Sequence, residues 1–244
     1  MSFTNVVYIA GQGLAACAGL ILIAYLAYAA IVWLRFGHRT DHPGAADPLL
    51  DRFMPSYEVA ERHAIPINAP ADAAFRAACE MDLSNSAAIR AIFRARELVL
   101  GAKPSKHKDR QSLLAETKAL GWGVLAEIPG REIVMGAVTQ PWRPNVVFRA
   151  VPPNEFAAFH EPDYVKIVFN LRAEPIGPAA SIHSTETRVS TTDAIARAKF
   201  RRYWAVFSPG ILLIRRIGLR LVKEAAEHFV EASPGGSVLP APRS

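Results

Sequence analysis

The chain has 244 residues, 51% of them apolar and 20% charged, with a formal net charge of +6. That composition excludes a globally disordered chain and leaves room for one domain of ordinary size plus an appendage. The two cysteines, Cys17 and Cys79, belong to no Cys-x-x-Cys or Cys/His cluster, which excludes a disulfide scaffold or a zinc-ribbon type of fold.

The first 34 residues hold no Lys, Arg, Asp or Glu, and Val6 to Leu34 form 29 consecutive residues free of acids and bases. About 20 such residues cross a hydrocarbon core as a helix, so the segment reads as a membrane anchor over 1–35. Its Leu14–Leu34 part suffices alone, and Tyr8 and Trp33 sit where interfacial aromatics would. A cleaved signal peptide fits less well, because a charged leading region is missing and the apolar run is too long. Arg35, His38 and Arg39 follow the run, and the positive-inside rule then puts the remaining chain in the cytoplasm. "GQGLAA" (11–16) matches a dinucleotide-binding fingerprint but follows no strand, and no acid comes about twenty residues later. Gly11, Ala15 and Gly19 form a small-residue ladder of the kind that lets membrane helices approach, although small residues are common in this segment. Oligomeric state is left open.

Residues 36–55 carry three prolines and two glycines without a sustained period and read as a linker. A strand follows, with Tyr57, Val59, Ile65 and Ile67 on one parity and Pro66 indicating a sheet edge. Phe75, Ala78 and Met81, then Ile89, Ile92 and Phe93, recur at helical spacing on either side of a break at Ser84–Ser86, giving two helices. A basic loop (101–109) leads to a short helix closed by Gly121. The period then changes to two: strands on either side of Pro129-Gly130, a further strand in "NVVFRAV" (145–151), a helical turn after Pro153, and two long strands over 164–176 and 181–191. A last helix starts from Thr192 as N-cap and carries an apolar stripe through Phe200, Trp204, Phe207, Ile211, Ile214 and Leu221, with a kink predicted at Pro209-Gly210. Residues 56–232 form the folded unit and 233–244 a disordered tail.

This order of elements, with "LGWGVLAEIPGREIVMG", "PWRP", "STETRV" and "FRRYW", resembles the START-like, helix-grip superfamily (SRPBCC), in particular an uncharacterised bacterial branch with an added N-terminal anchor. The resemblance implies an α+β fold in which a curved antiparallel sheet wraps around a long C-terminal helix and encloses an apolar cavity. It further implies binding of a hydrophobic small molecule or lipid, met at a membrane. The residues predicted to line that cavity are Trp122, Phe148, Phe169, Thr187, Trp204 and Phe207. The resemblance brings no catalytic motif, metal or cofactor.

Two other readings stay open: a cyclase- or hydratase-type enzyme using an acid or base in the cavity, and an interaction module without a ligand. For the first, Glu186 and His183 are the candidate groups, with His63 and His160 as further scattered histidines. Glu186 is a matter of strand register. Pairing Leu171 with His183 puts Phe169 opposite Thr185, Ile167 opposite Thr187 and Val165 opposite Val189. Glu186 and Arg188 then fall on the outer face beside Lys166, whereas a slip of one residue would turn Glu186 inward. In "KFRRYW" the aromatics share the core stripe and Arg197, Arg201 and Arg202 lie off it, which excludes nucleic acid as the partner. Arg35, Arg39, Arg215, Arg216 and Arg220 are expected on a surface that meets anionic lipid or water.

Overall fold

The computed structural model describes residues 3–37, 47–102 and 112–231. Arg39, His38, most of the basic loop after Gly101 and the C-terminal tail lie outside them. Helix α1 runs Phe3–Arg35 and contains a 21-residue stretch, Ala15–Arg35, of mean hydropathy 2.3 that is long and apolar enough to cross a membrane.

A short helix α2, Pro48–Phe53, falls inside the stretch expected to be a linker. Its start is well specified: Asp47 accepts from the N–H groups of Leu49 and Leu50, and Pro48 occupies the first turn, where its missing N–H costs nothing. Leu50, Phe53 and Met54 are buried, so this segment is part of the domain.

The sheet has the order β1(Val59–Ile67)–β6(Ala180–Thr191)–β5(Val165–Gly177)–β3(Glu132–Thr139)–β2(Gly123–Ile128), all antiparallel, with a two-residue β4(Phe148–Arg149) on β3. β1 is an edge strand, which accommodates the missing N–H of Pro66. β4 is far shorter than the seven-residue strand expected. Gly130, with φ +69°, closes the β2–β3 turn. Helices α3 (Ala71–Glu80) and α4 (Ala87–Leu100) flank a single 3-10 turn at Leu83–Asn85, and α5 (Leu113–Ala119) precedes β2. α6 is one turn, Pro153–Phe156.

The long helix α7 spans Ala194–Glu231, 38 residues, and runs through Pro209 without ending. Its cap is Asp193, whose carboxylate accepts from the Ala196 N–H, while Thr192 donates to and accepts from the Tyr164 backbone. The acid one residue later outcompetes the hydroxyl because it also accepts from the Asp163 N–H. The architecture is α+β, a curved six-stranded antiparallel sheet with a long C-terminal helix and an N-terminal apolar helix, as the sequence predicts.

Both faces of the sheet are covered. On one, Ile67, Ile133, Met135, Leu171 and Ala173 pack against α3 and Val222 and Ala226 of α7. On the other, Val134, Val138 and Val168 meet α2 and Phe156 of α6. β3, central between them, is buried at all eight positions, which is why it reads as a continuous apolar run rather than an alternation.

The β5–β6 pairing places Phe169 opposite Thr187 and Ile167 opposite Val189, two residues from the expected register. A shift of two preserves the face of every side chain, so Glu186 and Arg188 are on the face away from α7 as predicted. Their surroundings differ from the prediction: Glu186 now stands opposite Asn170, not beside Lys166, and both charges are buried, because α2 covers them.

Gly121 has φ +102°, and a Cβ there would come within 2.3 Å of the Phe148 carbonyl oxygen. Gly121→Ala is therefore expected to lower stability by about 1–3 kcal/mol through backbone strain and overpacking, measured as a fall in the urea midpoint with unchanged slope.

Candidate functional site: an apolar cleft beside the long helix

On the α7 side of the sheet the helix leaves a cleft of about 190 Å³. Tyr203, Phe207, Ile211 and Ile214 of α7 form one wall, Ile92, Phe93 and Arg96 of α4 another, and Pro141, Val146 and Phe148 the third. The α7 residues recur at three- and four-residue spacing, so one helical stripe presents them all. α4 comes close because position 210 is glycine: a Cβ there would stand 2.9 Å from Ile92. Arg96 is held at the wall by the Tyr203 hydroxyl at 3.4 Å and the Pro141 carbonyl at 3.1 Å, leaving a predominantly apolar space with polar groups along one side.

The six residues predicted to line a cavity are distributed unevenly. Phe148 and Phe207 line the cleft. Trp122 stands behind Phe148, with ring centroids 5.1 Å apart, and meets Phe169 edge-on at 5.2 Å. Trp204 is buried in a separate cluster with Phe200, Phe36, Val59 and Val189. Thr187 faces α7 and accepts from the Arg215 guanidinium. The α4 wall and Tyr203 went unrecognised; in the fold α4 has Ile89 as its fully buried residue and keeps Phe93 49% exposed at the cleft.

Arg215 corrects the expected membrane-surface set. Its guanidinium turns into the space between α7 and the sheet, bonding Thr187 and the Glu61 carbonyl at 3.3 Å, because its place on α7 directs it at β1 and β6. Burial pulls its pKa down to about 10, opposed by Glu61 and Glu186. His63 shares this region. Burial, and then repulsion from Arg215 and Arg216, lower its pKa, so it is neutral at pH 7. Arg35, Arg216 and Arg220 are exposed. Arg197 and Arg201 serve the end of α1: Arg201 donates twice to the Trp33 carbonyl, at 2.9 and 2.7 Å, and lies 4.2 Å over the Trp33 ring. Arg197 lies over Phe36. A helix C-terminus has unsatisfied carbonyls and a negative dipole end, and these arginines answer both.

The acid and base candidates are engaged elsewhere. His183 is 1% exposed, its Nδ1 is 3.0 Å from the Arg172 carbonyl, and burial lowers its pKa to about 4. His160 is exposed and bonded to the Ala158 carbonyl. Glu186 lies on the opposite sheet face from the cleft in a buried network. Arg188 bonds Glu186 at 2.7 Å, Asp51 at 2.6 Å and the Met54 carbonyl at 3.0 Å, and stacks on Tyr57. Asn170 continues the network, donating to Asp47 and Glu132 and accepting the Glu186 N–H. Its role is to fasten α2 to the sheet. Among the described residues no group of three or more His, Cys, Asp or Glu is arranged to hold a metal ion.

No protein-family model matches the chain, and no curated protein does. Solved structures similar to it include the "di-domain ARO/CYC BexL from the BE-7585A biosynthetic pathway", at 16% identity and TM-score 0.32 over 69% of this chain. The match spans 46% of that protein's length, so this chain corresponds to about half of it. A hypothetical protein of Helicobacter pylori matches at 8% identity and TM-score 0.35, over 78% of this chain and 98% of its own. The Zhui aromatase/cyclase of a Streptomyces species matches at 13% identity and TM-score 0.25, over 72% and 98%.

Glu132, 4% exposed, is the titratable center of the α2 network. Burial, partly countered by the Asn170 bond and reinforced by Asp47, raises its pKa to about 7 from 4.5. The folded state thus holds a proton that the unfolded chain releases between those values, and stability falls as pH rises from 4.5 to 7, then levels. The loss is about 3 kcal/mol. Glu132→Gln, which mimics the protonated form, is expected to flatten this slope in urea titrations taken at several pH values.

Proposed function

We propose that this protein is a membrane-anchored binding protein that holds or presents a hydrophobic small molecule or lipid in the cleft between α7, α4 and the 141–148 segment. The observation that carries the reading is the cleft itself: an apolar space beside the long helix, walled by Phe148, Phe207, Ile211 and Ile214, with Arg96 and the Tyr203 hydroxyl placed to orient a polar end. Such a combination of apolar lining with a few convergent polar groups is the usual make-up of a small-molecule site. The apolar Ala15–Arg35 stretch, uncharged up to Leu34, supports anchoring, with the domain on the cytoplasmic side by the position of Arg35.

At about 190 Å³ the cleft lies below the range common for drug-sized ligands, so a bound molecule projects from it or enters with one chain only. The same fact supports a second reading, an interaction module whose interior is filled by its own side chains, as Trp204 and Phe200 at one end of the α7–sheet interface and Val222 at the other fill theirs. The enzyme reading has no comparable support, since Glu186 and His183 are committed to structural bonds away from the cleft.

Native mass spectrometry of the full chain released from mild detergent, with lipid extraction of the same sample, separates the two. One bound hydrophobic molecule per chain is expected, with occupancy reduced at least tenfold by Ile211→Trp, which fills the cleft. An unliganded chain that gives no thermal shift with any member of a lipid and hydrophobe panel supports the filled-interior module.

A further inference from the structure

The cleft has two unlike ends. Its α7 wall runs from Tyr203 through Phe207 and Ile211 to Ile214, and α4 lies against it in the opposite direction, with Arg96 at Tyr203 and Ile92 at Gly210. The far end is lined by Ile92, Ile211 and Ile214, all aliphatic. At the near end stand the Arg96 guanidinium, the Tyr203 hydroxyl and the Pro141 carbonyl.

Arg96 is only partly exposed, yet both of its bonds are to neutral oxygens. Nε donates to the Tyr203 hydroxyl at 3.4 Å and Nη2 to the Pro141 carbonyl at 3.1 Å. Among the described residues it enters no ion pair. On the other face of the sheet the arginines are matched by acids: Arg172 by Asp47, Glu132 and Glu174, and Arg188 by Glu186 and Asp51. A cation drawn from water onto an apolar wall is costly unless an anion compensates it, and a guanidinium has five N–H donors to offer one. The Tyr203 hydroxyl, accepting from Arg96, keeps its own proton to donate.

One cation beside one hydroxyl matches a planar, singly charged acceptor, which a guanidinium can bind through two parallel bonds. That acceptor is a carboxylate. A phosphate monoester would bring further negative charge that nothing at this end answers. The narrow slot admits one chain, and Tyr203 to Ile214 covers about 16 Å of helix. Roughly a dozen bonds of extended chain, at ~1.2 Å each, span that distance.

We propose that the ligand of the cleft is a single-chain carboxylic acid, held with its carboxylate on Arg96 and Tyr203 and its chain toward Ile211 and Ile214. The proposal rests on the reading of the cleft as a binding site.

The test places the full chain in phosphatidylcholine nanodiscs at neutral pH and measures binding of dodecanoate, dodecan-1-ol and dodecyl phosphate by native mass spectrometry. The acid-to-alcohol affinity ratio is expected to fall at least tenfold from the unsubstituted chain to Arg96→Met and to recover in part in Arg96→Lys. It stays unchanged in Arg94→Met, at an exposed arginine of the same helix. Partition into lipid is common to all the proteins, so the comparison reads the site alone. A ratio that Arg96→Met leaves unchanged, or a larger fall for dodecyl phosphate than for dodecanoate, overturns this inference and leaves the binding reading standing. Failure of all three compounds to bind overturns it as well, and if the wider lipid and hydrophobe panel also fails, the binding reading falls with it. Dodecanoic acid carrying a diazirine at its chain end reports the orientation on the unsubstituted chain, whatever the variants do. Adducts at Ile92, Ile211 or Ile214 support the proposal, and adducts confined to Arg96, Pro141 and Tyr203 overturn it.

Discussion

The constraint on which the rest of the structure depends is the length of α7 and the breadth of its apolar surface. A helix of 38 residues extends about 57 Å, farther than a sheet of five or six strands can cover with one face. Its apolar positions also spread beyond one stripe. Val222 and Ala226 meet the sheet, Phe207 and Ile211 meet the α4 side, and Phe200 and Trp204 meet Phe36 and Val32 at the end of α1. Each surface that α7 cannot bury on the sheet becomes the reason for something else: the docking of α1, the approach of α4 at Gly210, and the cleft left between them.

The far side of the sheet follows a different logic. There the strands present charges, and the chain covers them with α2. A buried arginine is costly unless every donor is used, and Arg188 answers with Glu186, Asp51, the Met54 carbonyl and the Tyr57 ring. The result holds α2 in one place and one orientation, which apolar contact from Leu50, Phe53 and Met54 alone would not specify.

Period and punctuation made most of the fold legible. The parity of Val59, Ile65 and Ile67 in β1, the Pro129-Gly130 turn, the two helices parted at Ser84 and the stripe of α7 stand where the residues put them, because each depends on local spacing. Tyr57, expected on the same face, instead precedes β1 and packs on the α2 side beneath Arg188. What was misread depends on pairing across the chain. The β5–β6 register differs by two residues because matching β-branched with apolar partners is nearly as good in either alignment. α2 was passed over as a linker, although Asp47 before Pro48 is a helix start. Its prolines and glycines were weighed by composition, and its burial required knowing that charges lay on the sheet beneath. Arg215 was assigned outward by its charge, but its angle on α7 carries it in toward Thr187. Of the cleft, Phe148 and Phe207 were visible from the strand and helix patterns; the α4 wall was not, since nothing in one sequence says which helix stands next to which.

The chain leaves α1 at Gly37 already held by Arg197 and Arg201, and by Asp47 it is held again, through the clasp of α2 on the sheet. Two fastenings only ten residues apart in sequence hold α1 in one orientation against the sheet and α7, so the first helix and the folded unit turn together as one body.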